Sequence, residues 1–339
     1  MLRRRFLISS AGAACALISC SRRGAPAGRT WLRVGVSHNL TMSPFYTAYE
    51  FGYFSDAGFD IELTRELPSA QGIPLLAGGK QDVSFVGLSA GLMNAVERGA
   101  RARIVAGREV LSPECSMHGV VYARRSRFPN GVKSMRQLRH CRIAISSTTP
   151  AELFSLSVLL EHEGMTRADI ELVTVGAHVR LAVLRAGRVD AAMSADAELL
   201  PMLADLDLVR GPSLADVLPH FQYSFIAFGS RLLDGDVRTG ARFLKAYFRG
   251  AREFLAGKTP KFMEEFAKAS GLDPKVVIGG CRDTFEHEGE LHMGDLQTRI
   301  DWAYRQGYIP QPIDARSMVD TRFLEELARM LHHDRSEAR

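Results

Sequence analysis

The chain has 339 residues, of which 46% are hydrophobic and 24% are charged, and its formal net charge is +5. It is long enough for two domains with a large core. Six of its basic residues precede residue 31, namely Arg3, Arg4, Arg5, Arg22, Arg23 and Arg29. The remaining body is therefore close to neutral, and the basic balance of the chain does not indicate a nucleic-acid partner.

The first 20 residues have the pattern of an export signal. Arg3-Arg4-x-Phe6-Leu7 is similar to a twin-arginine signal, and the apolar stretch that follows is shorter than the about 20 residues that cross a bilayer. Leu17-Ile18-Ser19-Cys20 resembles a lipobox, which predicts lipidation of Cys20 and a tether over residues 21–30. The alternative is an ordinary secretory peptide that is cut elsewhere.

Three cysteines remain in the body: Cys115, Cys141 and Cys281. Their spacing does not match a metal site such as C-x-x-C. One disulfide is compatible with an exported protein, but the composition favours buried free thiols.

An internal repeat predicts the architecture. The tetrapeptide Asp-Ile-Glu-Leu occurs at residues 60–63 and again at residues 169–172, and each copy is followed by a Gly-basic-x-Asp element, at residues 79–82 and 187–190. Each Gly-basic-x-Asp element ends an apolar helical run and opens a strand-like run, which is typical of a junction between a helix and a strand. Two copies of this pattern predict two α/β lobes with mainly parallel sheets.

The lobes need two connections and a C-terminal region. Extended apolar stretches at residues 117–123 and 221–228 are predicted to cross between the lobes. The division is therefore residues 31–118 plus 229–339 for lobe 1, and 119–228 for lobe 2. After residue 230 the apolar period predicts four helices, at residues 241–255, 260–269 (with Pro260 in the first helical position), 296–304 and 322–332.

Three segments resemble a known family. Ser43-Pro44-Phe45-Tyr46-x-Ala48, continuing to Asp60-Ile61-Glu62, resembles the opening signature of type II periplasmic binding proteins for nitrate, alkanesulfonates, taurine and thiamine-pyrimidine precursors. Residues 122–144 and 301–309 are similar to the crossover and the C-terminal helix of that family. The resemblance implies a Venus-flytrap fold and a solute-binding lipoprotein that delivers a small molecule to an ABC transporter permease.

Together with the lipobox and the near-neutral body, the resemblance predicts a periplasmic, membrane-anchored monomer with no cofactor, no metal and no nucleic-acid partner. Two alternatives share the fold. One is an enzyme of thiamine-pyrimidine synthesis. In the family this enzyme uses its own His and a Cys-rich iron motif, and the Cys-rich motif does not occur in this chain. The other is a sensor that passes its ligand to a membrane signalling protein.

Ligands of open α/β sheets bind beyond the carboxyl ends of the strands, and helix N-termini there suit anionic groups. The candidates for ligand binding are therefore in the loops that follow the predicted strands, together with aromatic residues that suit a ring or an alkyl chain. They are His38, Thr41, Ser43, Phe45, Ser69, Gln71, Leu88, Ser89, Ser147, Thr148, Thr149, His178, Asp196 and Tyr223. For each Ser and Thr, the alternative is a residue that only caps its own helix.

The charge of the ligand stays open. His178, Arg180 and Arg108 suit an anion, whereas Asp196, Glu198 and Glu66 suit an amine or an aminopyrimidine. Arg180 can instead lie on a solvated helix face, and Tyr46 lies at helical spacing with Tyr49 and Tyr53, which is typical of core packing.

The H-E-x-x-H and P-loop patterns do not occur in the sequence. One G-x-S-x-G match is present at residues 87–91, and its serine is Ser89, for which the alternative role is a helix cap. An acidic and histidine-rich cluster near the C-terminus suggests a metal site or, as the favoured interpretation, a solvated face. It comprises Asp283, Glu286, His287, Glu288, Glu290, His292 and Asp295.

Overall fold

The computed structural model describes residues 28–66, 72–115, 118–145, 150–194, 207–280, 282 and 284–337. Two five-stranded sheets organise this part of the chain. The first contains β1 (Thr30–Ser37), β2 (Phe59–Glu66), β3 (Val83–Gly87), β4 (Ala102–Val110) and β10 (Gln222–Gly229). The second contains β5 (Val120–Arg124), β6 (Arg142–Ile145), β7 (Glu171–Thr174), β8 (Ala191–Ser194) and β9 (Leu208–Ser213).

The two sheets have the same topology. The strand order is β2-β1-β3-β10-β4 in the first sheet and β7-β6-β8-β5-β9 in the second. β10 is antiparallel to β3 and β4, and β5 is antiparallel to β8 and β9, so four strands of each sheet run in one direction. The predicted fold class, a two-lobed α/β protein with mainly parallel sheets, is confirmed.

Helices surround both sheets. In the first half of the chain they are α1 (Ser43–Glu50), α2 (Tyr53–Asp56), α3 (Gly72–Ala77), α4 (Ala90–Glu97), α5 (Pro150–His162) and α6 (Ala177–Arg185). In the second half they are α7 (Leu214–Val217), α8 (Ser230–Leu233), α9 (Val237–Leu255), α10 (Lys261–Ala269), α11 (Pro274–Ile278), α12 (Met293–Arg305) and α13 (Arg322–Glu337). Within the described part of the chain, none of these helices has the length and apolar character to cross a membrane.

The sequence repeat corresponds to the same joint in each lobe. Gly79 and Gly187 follow α3 and α6 with φ angles of 66° and 69°, a left-handed conformation that glycine adopts without a steric penalty. The Asp that ends each copy then accepts a hydrogen bond from the neighbouring parallel strand, which is β1 in the first lobe and β6 in the second. The carboxylate of Asp82 accepts the amide of Arg33 at 2.8 Å, and that of Asp190 accepts the amide of Arg142 at 2.8 Å.

The two crossovers lie side by side. Gly119 precedes β5 with a φ of 64°, and a Cβ there would approach Leu214 and Ser155 to 2.9 and 3.0 Å. The close approach explains why a glycine is required at this point.

β10 belongs to the first sheet, although the predicted division assigns residues up to 228 to lobe 2. The division into lobes stays a prediction, and the pairing of β10 moves its second boundary towards residue 221.

One apolar core extends from the first sheet into the second. It includes Leu88 and Ile104 from the first lobe, Ile145 and Phe154 from the second, and Trp302 from α12. A second core packs α1 and α9 against the other face of the first sheet. The C-terminal helices therefore cover the first sheet, and α12 also reaches α5 of the second lobe.

The four predicted C-terminal helices are present as α9, α10, α12 and α13, with one correction. Pro260 is the N-cap of α10 and not its first helical residue. The reason is a contact from outside the helix, because the carboxylate of Glu50 accepts the amides of Lys261 at 2.6 Å and Phe262 at 3.0 Å.

The cysteines divide into two kinds. Cys141 is a buried free thiol, as predicted, and burial raises the pKa of its thiol. Cys115 is disulfide-bonded, so the prediction of a free thiol was wrong for this residue. Its partner lies outside the described residues, and the spacing along the chain does not encode that pairing.

Candidate functional site

A buried polar cluster lies where the parallel strands of the first lobe end and the two crossovers meet. Arg108, near the end of β4, is 3% exposed. Its Nη2 atom donates to the Thr41 hydroxyl at 2.8 Å, the Thr41 carbonyl at 3.1 Å and the Glu109 carboxylate at 2.7 Å. The guanidinium also lies over the ring of Phe85. Arg108 is thus fixed in position by the loop after β1 and by its own neighbour.

Glu109 is the acidic centre of this cluster. Its carboxylate accepts the Ser224 hydroxyl and lies 3.4 Å from Nε2 of His118. Burial alone would raise the pKa of Glu109, but the charge of Arg108 and the contacts with His118 and Ser224 outweigh it and lower the pKa to about 2. Glu109 is therefore a carboxylate throughout the physiological pH range.

His118 and Tyr223 connect the two crossovers. His118 lies just before β5 and Tyr223 lies at the start of β10, and their rings stack with centroids 4.5 Å apart. The Tyr223 side chain hydrogen-bonds Ser155 on α5, and burial raises the pKa of its phenol. Tyr223, in the second crossover, therefore contacts the first crossover through His118 and the second lobe through Ser155.

The second lobe contributes a matching ion pair. Arg180 of α6 is 2% exposed, and its Nη1 atom lies 3.3 Å from Oε1 of Glu152 on α5. The guanidinium also donates to the carbonyl of Met193. Arg180 does not lie on a solvated face, so that interpretation was wrong, because its partner Glu152 is 28 positions earlier in the sequence and brings it into the interior.

A third arginine, Arg299, lies in the same region and comes from α12. Its guanidinium is 5.2 Å from the centroid of Phe154, in the second lobe, and 5.2 Å from that of Tyr223. One of its amino groups donates to the Tyr223 carbonyl at 3.4 Å. Arg299 is 2% exposed, and burial lowers the pKa of its guanidinium.

These groups form a polar path from one lobe to the other. It passes from Arg108 through Glu109 and His118 to Tyr223, and the electrostatic influence of both Glu109 and Glu152 reaches Tyr223. The Nε atoms of all three buried arginines have no hydrogen-bond acceptor among the described residues. Buried donors of this kind are costly to leave unpaired, so they suit a bound group that carries acceptor oxygens.

Three predicted site residues lie beside this cluster. Thr41 holds Arg108, Tyr223 stacks on His118, and Leu88 is buried directly after β3. His38 lies further away, with its ring 5.2 Å from that of Phe262 on α10. Ser89 is the N-cap of α4 and accepts the Leu92 amide at 3.3 Å, which agrees with its alternative role as a cap.

Two further candidates are engaged elsewhere. Ser43 is fully buried and donates to the Leu40 carbonyl at 2.7 Å, while Met42 and not Ser43 is the N-cap of α1. Phe45 is fully buried in the core against Phe54 and Phe85. Both lie in the interior because α1 turns this face towards the first sheet. Tyr46 stacks on Phe262 with centroids 3.9 Å apart.

The remaining candidates lie outside the described residues. They are Ser69, Gln71, Ser147, Thr148, Thr149 and Asp196, together with the acidic alternative Glu198 and the lipidation residue Cys20. His178 is part of α6, but its side chain is not among the described ones. The ligand-binding set as a whole stays a prediction.

The acidic and histidine-rich segment near the C-terminus forms ion pairs. His292 lies 3.2 Å from Asp295 and 3.7 Å from Glu286, and burial raises the pKa of the Glu286 carboxyl. Among the described residues, we find no group of three or more His, Cys, Asp or Glu side chains arranged to hold a metal ion. Instead, the segment extends the edge of β4, since the Val110 amide donates to the Thr284 carbonyl and the Glu286 amide to the Arg108 carbonyl.

Sequence reasoning missed Glu109, His118, Glu152, Ser224 and Arg299 as members of the cluster. Adjacent Arg108-Glu109 at the end of an apolar strand was a signal for the first of them, because two neighbouring charges in a buried strand need each other. The other four are brought in from distant parts of the chain, and the local sequence does not identify them.

Comparison with known proteins places the fold. The alkanesulfonate-binding protein SsuA from Xanthomonas axonopodis pv. citri, bound to MOPS, is 17% identical, has a TM-score of 0.67, and the match covers 87% of this chain and all of that one. The aliphatic sulphonate binding protein SsuA from Escherichia coli is 16% identical with a TM-score of 0.68, and the match covers 85% of this chain and 97% of that one. The desulfurization enzyme DSZB is also similar, with 16% identity and a TM-score of 0.63, and the match covers 89% of this chain and 99% of that one.

At these identities the solved structures share the fold with this chain. A search of curated protein sequences gives no significant match. The family model described as NMT1/THI5 like matches residues 39–257, which is more than half of the chain. The chain therefore belongs to the NMT1/THI5-like family, as the resemblance in the sequence predicted.

Proposed function

We propose that this protein is an exported solute receptor that captures a small anionic organic molecule between its lobes and delivers it, unchanged, to an ABC importer. The observation that carries the proposal is the buried polar cluster that joins the lobes. Arg108 belongs to the first lobe and Arg180 to the second, and both are almost fully buried. Donors on two bodies enclose a small ligand when the bodies close.

The balance of buried charge favours an anion. Among the residues that the structure describes, three buried arginines and two buried glutamates, Glu109 and Glu152, lie in this region. An unneutralised charge away from water is unfavourable, and a bound anion removes that cost. Sulfonates are the leading candidates, since two proteins of the same fold are described as sulfonate-binding.

A receptor fits the cluster better than an enzyme. Both cysteines in the described part of the chain lack the properties of a nucleophile, because Cys115 is disulfide-bonded and burial raises the pKa of Cys141. Ser224 donates to Glu109, and a carboxylate whose pKa is lowered to about 2 is a weak general base for activating a serine. The enzyme DSZB has this fold, and turnover of the ligand is the outcome that would favour the enzyme alternative.

The proposed location is the periplasm, with the protein held at the membrane by a lipid on Cys20 after twin-arginine export, and acting as a monomer. The disulfide at Cys115 supports an oxidising compartment, because such bonds persist outside the cytosol. The permease of an importer is the proposed partner.

A thermal-shift titration of the mature protein tests the proposal. The probes are propanesulfonate, MOPS, acetate, nitrate and an aminopyrimidine. A ligand at 100 times its dissociation constant adds about 2.7 kcal/mol to the free energy of unfolding. We expect a sulfonate or another organic anion to stabilise the wild type and to lose this effect in Arg108→Met.

The matched control is Arg316→Met. The side chain of Arg316 is 87% exposed, so this variant should be stabilised by the ligand as much as the wild type. Stabilisation by the aminopyrimidine alone would contradict the anionic ligand. Chemical conversion of any probe would contradict the receptor.

A further inference from the structure

Arg299 differs from the other two buried arginines because it has no carboxylate partner among the described residues. Arg108 lies 2.7 Å from Glu109, and Arg180 lies 3.3 Å from Glu152. Arg299 forms no ion pair with any described residue, and among these residues the one titratable neighbour that influences its pKa is the phenol of Tyr223, which is neutral at physiological pH. A fully buried guanidinium without a carboxylate is rare, because its charge must be neutralised or hydrogen-bonded to tolerate burial.

The surroundings of Arg299 place it between elements of the two lobes. The ring centroids of Phe154 and Tyr223 each lie 5.2 Å from the guanidinium carbon, so the group is held between the second lobe and the second crossover. A Cβ on Gly87, at the end of β3, would be 4.0 Å from an Nη atom of Arg299. The Nε atom has no acceptor among the described residues. A donor and a charge are thus both available beside the carboxyl end of a central strand.

Three short segments outside the described residues carry no acidic side chain. Residues 67–71, 116–117 and 146–149, which follow the strands or lie in the first crossover, contain no Asp or Glu. The segment after β8, residues 195–206, carries three acidic residues, Asp196, Glu198 and Asp205, and Asp196 is the predicted ligand-binding residue among them. The experiment below therefore includes Asp196.

We propose that Arg299, contributed by the C-terminal helix α12, is a ligand-binding residue whose buried charge is neutralised by the anionic group of the bound solute. This inference rests on the proposed function. Because Phe154 of the second lobe forms one side of the guanidinium site, the charge of the ligand engages Arg299 in the closed arrangement of the lobes. The residue thereby selects a charged group over a neutral one of the same shape.

A purely structural arginine and a ligand-binding arginine respond differently to Arg299→Met. In our account, the ligand-free variant is at least as stable as wild type, with a melting temperature higher by roughly 2 °C, because an unneutralised charge has been removed. Its affinity for propanesulfonate falls by about 10- to 100-fold, the range for a lost charge-assisted hydrogen bond. Its affinity for the neutral analogue ethyl methyl sulfone changes by less than about threefold.

The matched control is Arg180→Met, which leaves Glu152 without its cation and should lower the melting temperature of the ligand-free protein. Arg299→Gln is a second variant that keeps a donor and removes the charge. If Arg299→Met is less stable than wild type and binds propanesulfonate with unchanged affinity, the inference is wrong. Equal loss of sulfonate and sulfone affinity would also contradict it.

Two further outcomes separate the inference from the proposed function. A wild-type protein that binds none of the anions contradicts both statements, whereas sulfonate binding that Arg299→Met retains contradicts the inference alone. If Asp196 neutralises Arg299, then Asp196→Asn lowers the melting temperature of the ligand-free protein and strengthens sulfonate binding. We expect neither effect.

Discussion

Replacing Glu109 with Gln removes the carboxylate at the centre of the cluster and keeps its shape. The carboxyl lies among Arg108, His118 and Ser224, and its pKa falls from an ordinary value of 4.5 to about 2 in the folded protein. Each pKa unit corresponds to about 1.36 kcal/mol, so the ionised form contributes about 3 kcal/mol to the free energy of unfolding at neutral pH.

The direction of the pH dependence follows from the lowered pKa. The unfolded chain takes up the proton first as the pH falls, so this stability is complete above about pH 4.5 and is lost towards pH 2. The Glu109→Gln variant has no such contribution. We therefore expect the variant to be less stable than wild type by about 3 kcal/mol at pH 7, and the two unfolding free energies to converge near pH 2.

Urea unfolding of both proteins at pH 7, 5, 4, 3 and 2 measures this difference. The other carboxyl groups titrate in both proteins, so their effects cancel when one curve is subtracted from the other. A difference that stays constant from pH 7 to pH 2 would show that Glu109 is not held as a carboxylate by its neighbours. The affinity for the anionic ligand should decline over the same acidic range, because Glu109 fixes Arg108.

Three other predictions concern the anchor, the repeat and the disulfide. Cys20→Ala should move the protein from the membrane fraction to the soluble periplasm, and a variant that stays membrane-bound would refute lipidation. Asp190→Asn should lower the free energy of unfolding by about 1–3 kcal/mol in urea unfolding, because the buried carboxylate loses its charge-assisted hydrogen bonds to Arg127 and to the Arg142 amide while the half-exposed arginines stay solvated, and no loss would contradict the role of the repeat. Cys115→Ser should lower the free energy of unfolding by about 2–4 kcal/mol under oxidising conditions and leave it unchanged under reducing conditions. An equal loss under both conditions would argue against the disulfide.

The repeat shows what the sequence can reveal about the fold. Gly79 and Asp82 act within one joint between a helix and a strand, and Gly187 and Asp190 act in the same way in the second lobe. Their roles depend on neighbours a few positions away and on one strand per lobe. Local patterns of this kind are visible in a sequence, so the two lobes and their strands were predictable.

The site depends on contacts that the sequence does not display. Ser224 and Glu109 are 115 positions apart, and Arg299 meets Phe154 only because α12 packs across both lobes. Arg180 was open to two interpretations because its partner Glu152 belongs to another helix. Ser43 and Ser89 followed the correct strands, but their hydroxyls serve the backbone of their own segments. Strand ends can be located by pattern, whereas the side chains that face the cleft are selected by tertiary packing.

Native mass spectrometry of the mature protein, incubated with a mixture of sulfonates, carboxylates and neutral analogues, tests the central claim most directly. The account predicts one organic anion bound per chain, recovered with its mass unchanged, and its loss from Arg108→Met. Recovery of a converted product, or of a neutral compound in preference to every anion, would contradict capture of an anionic solute by this cluster.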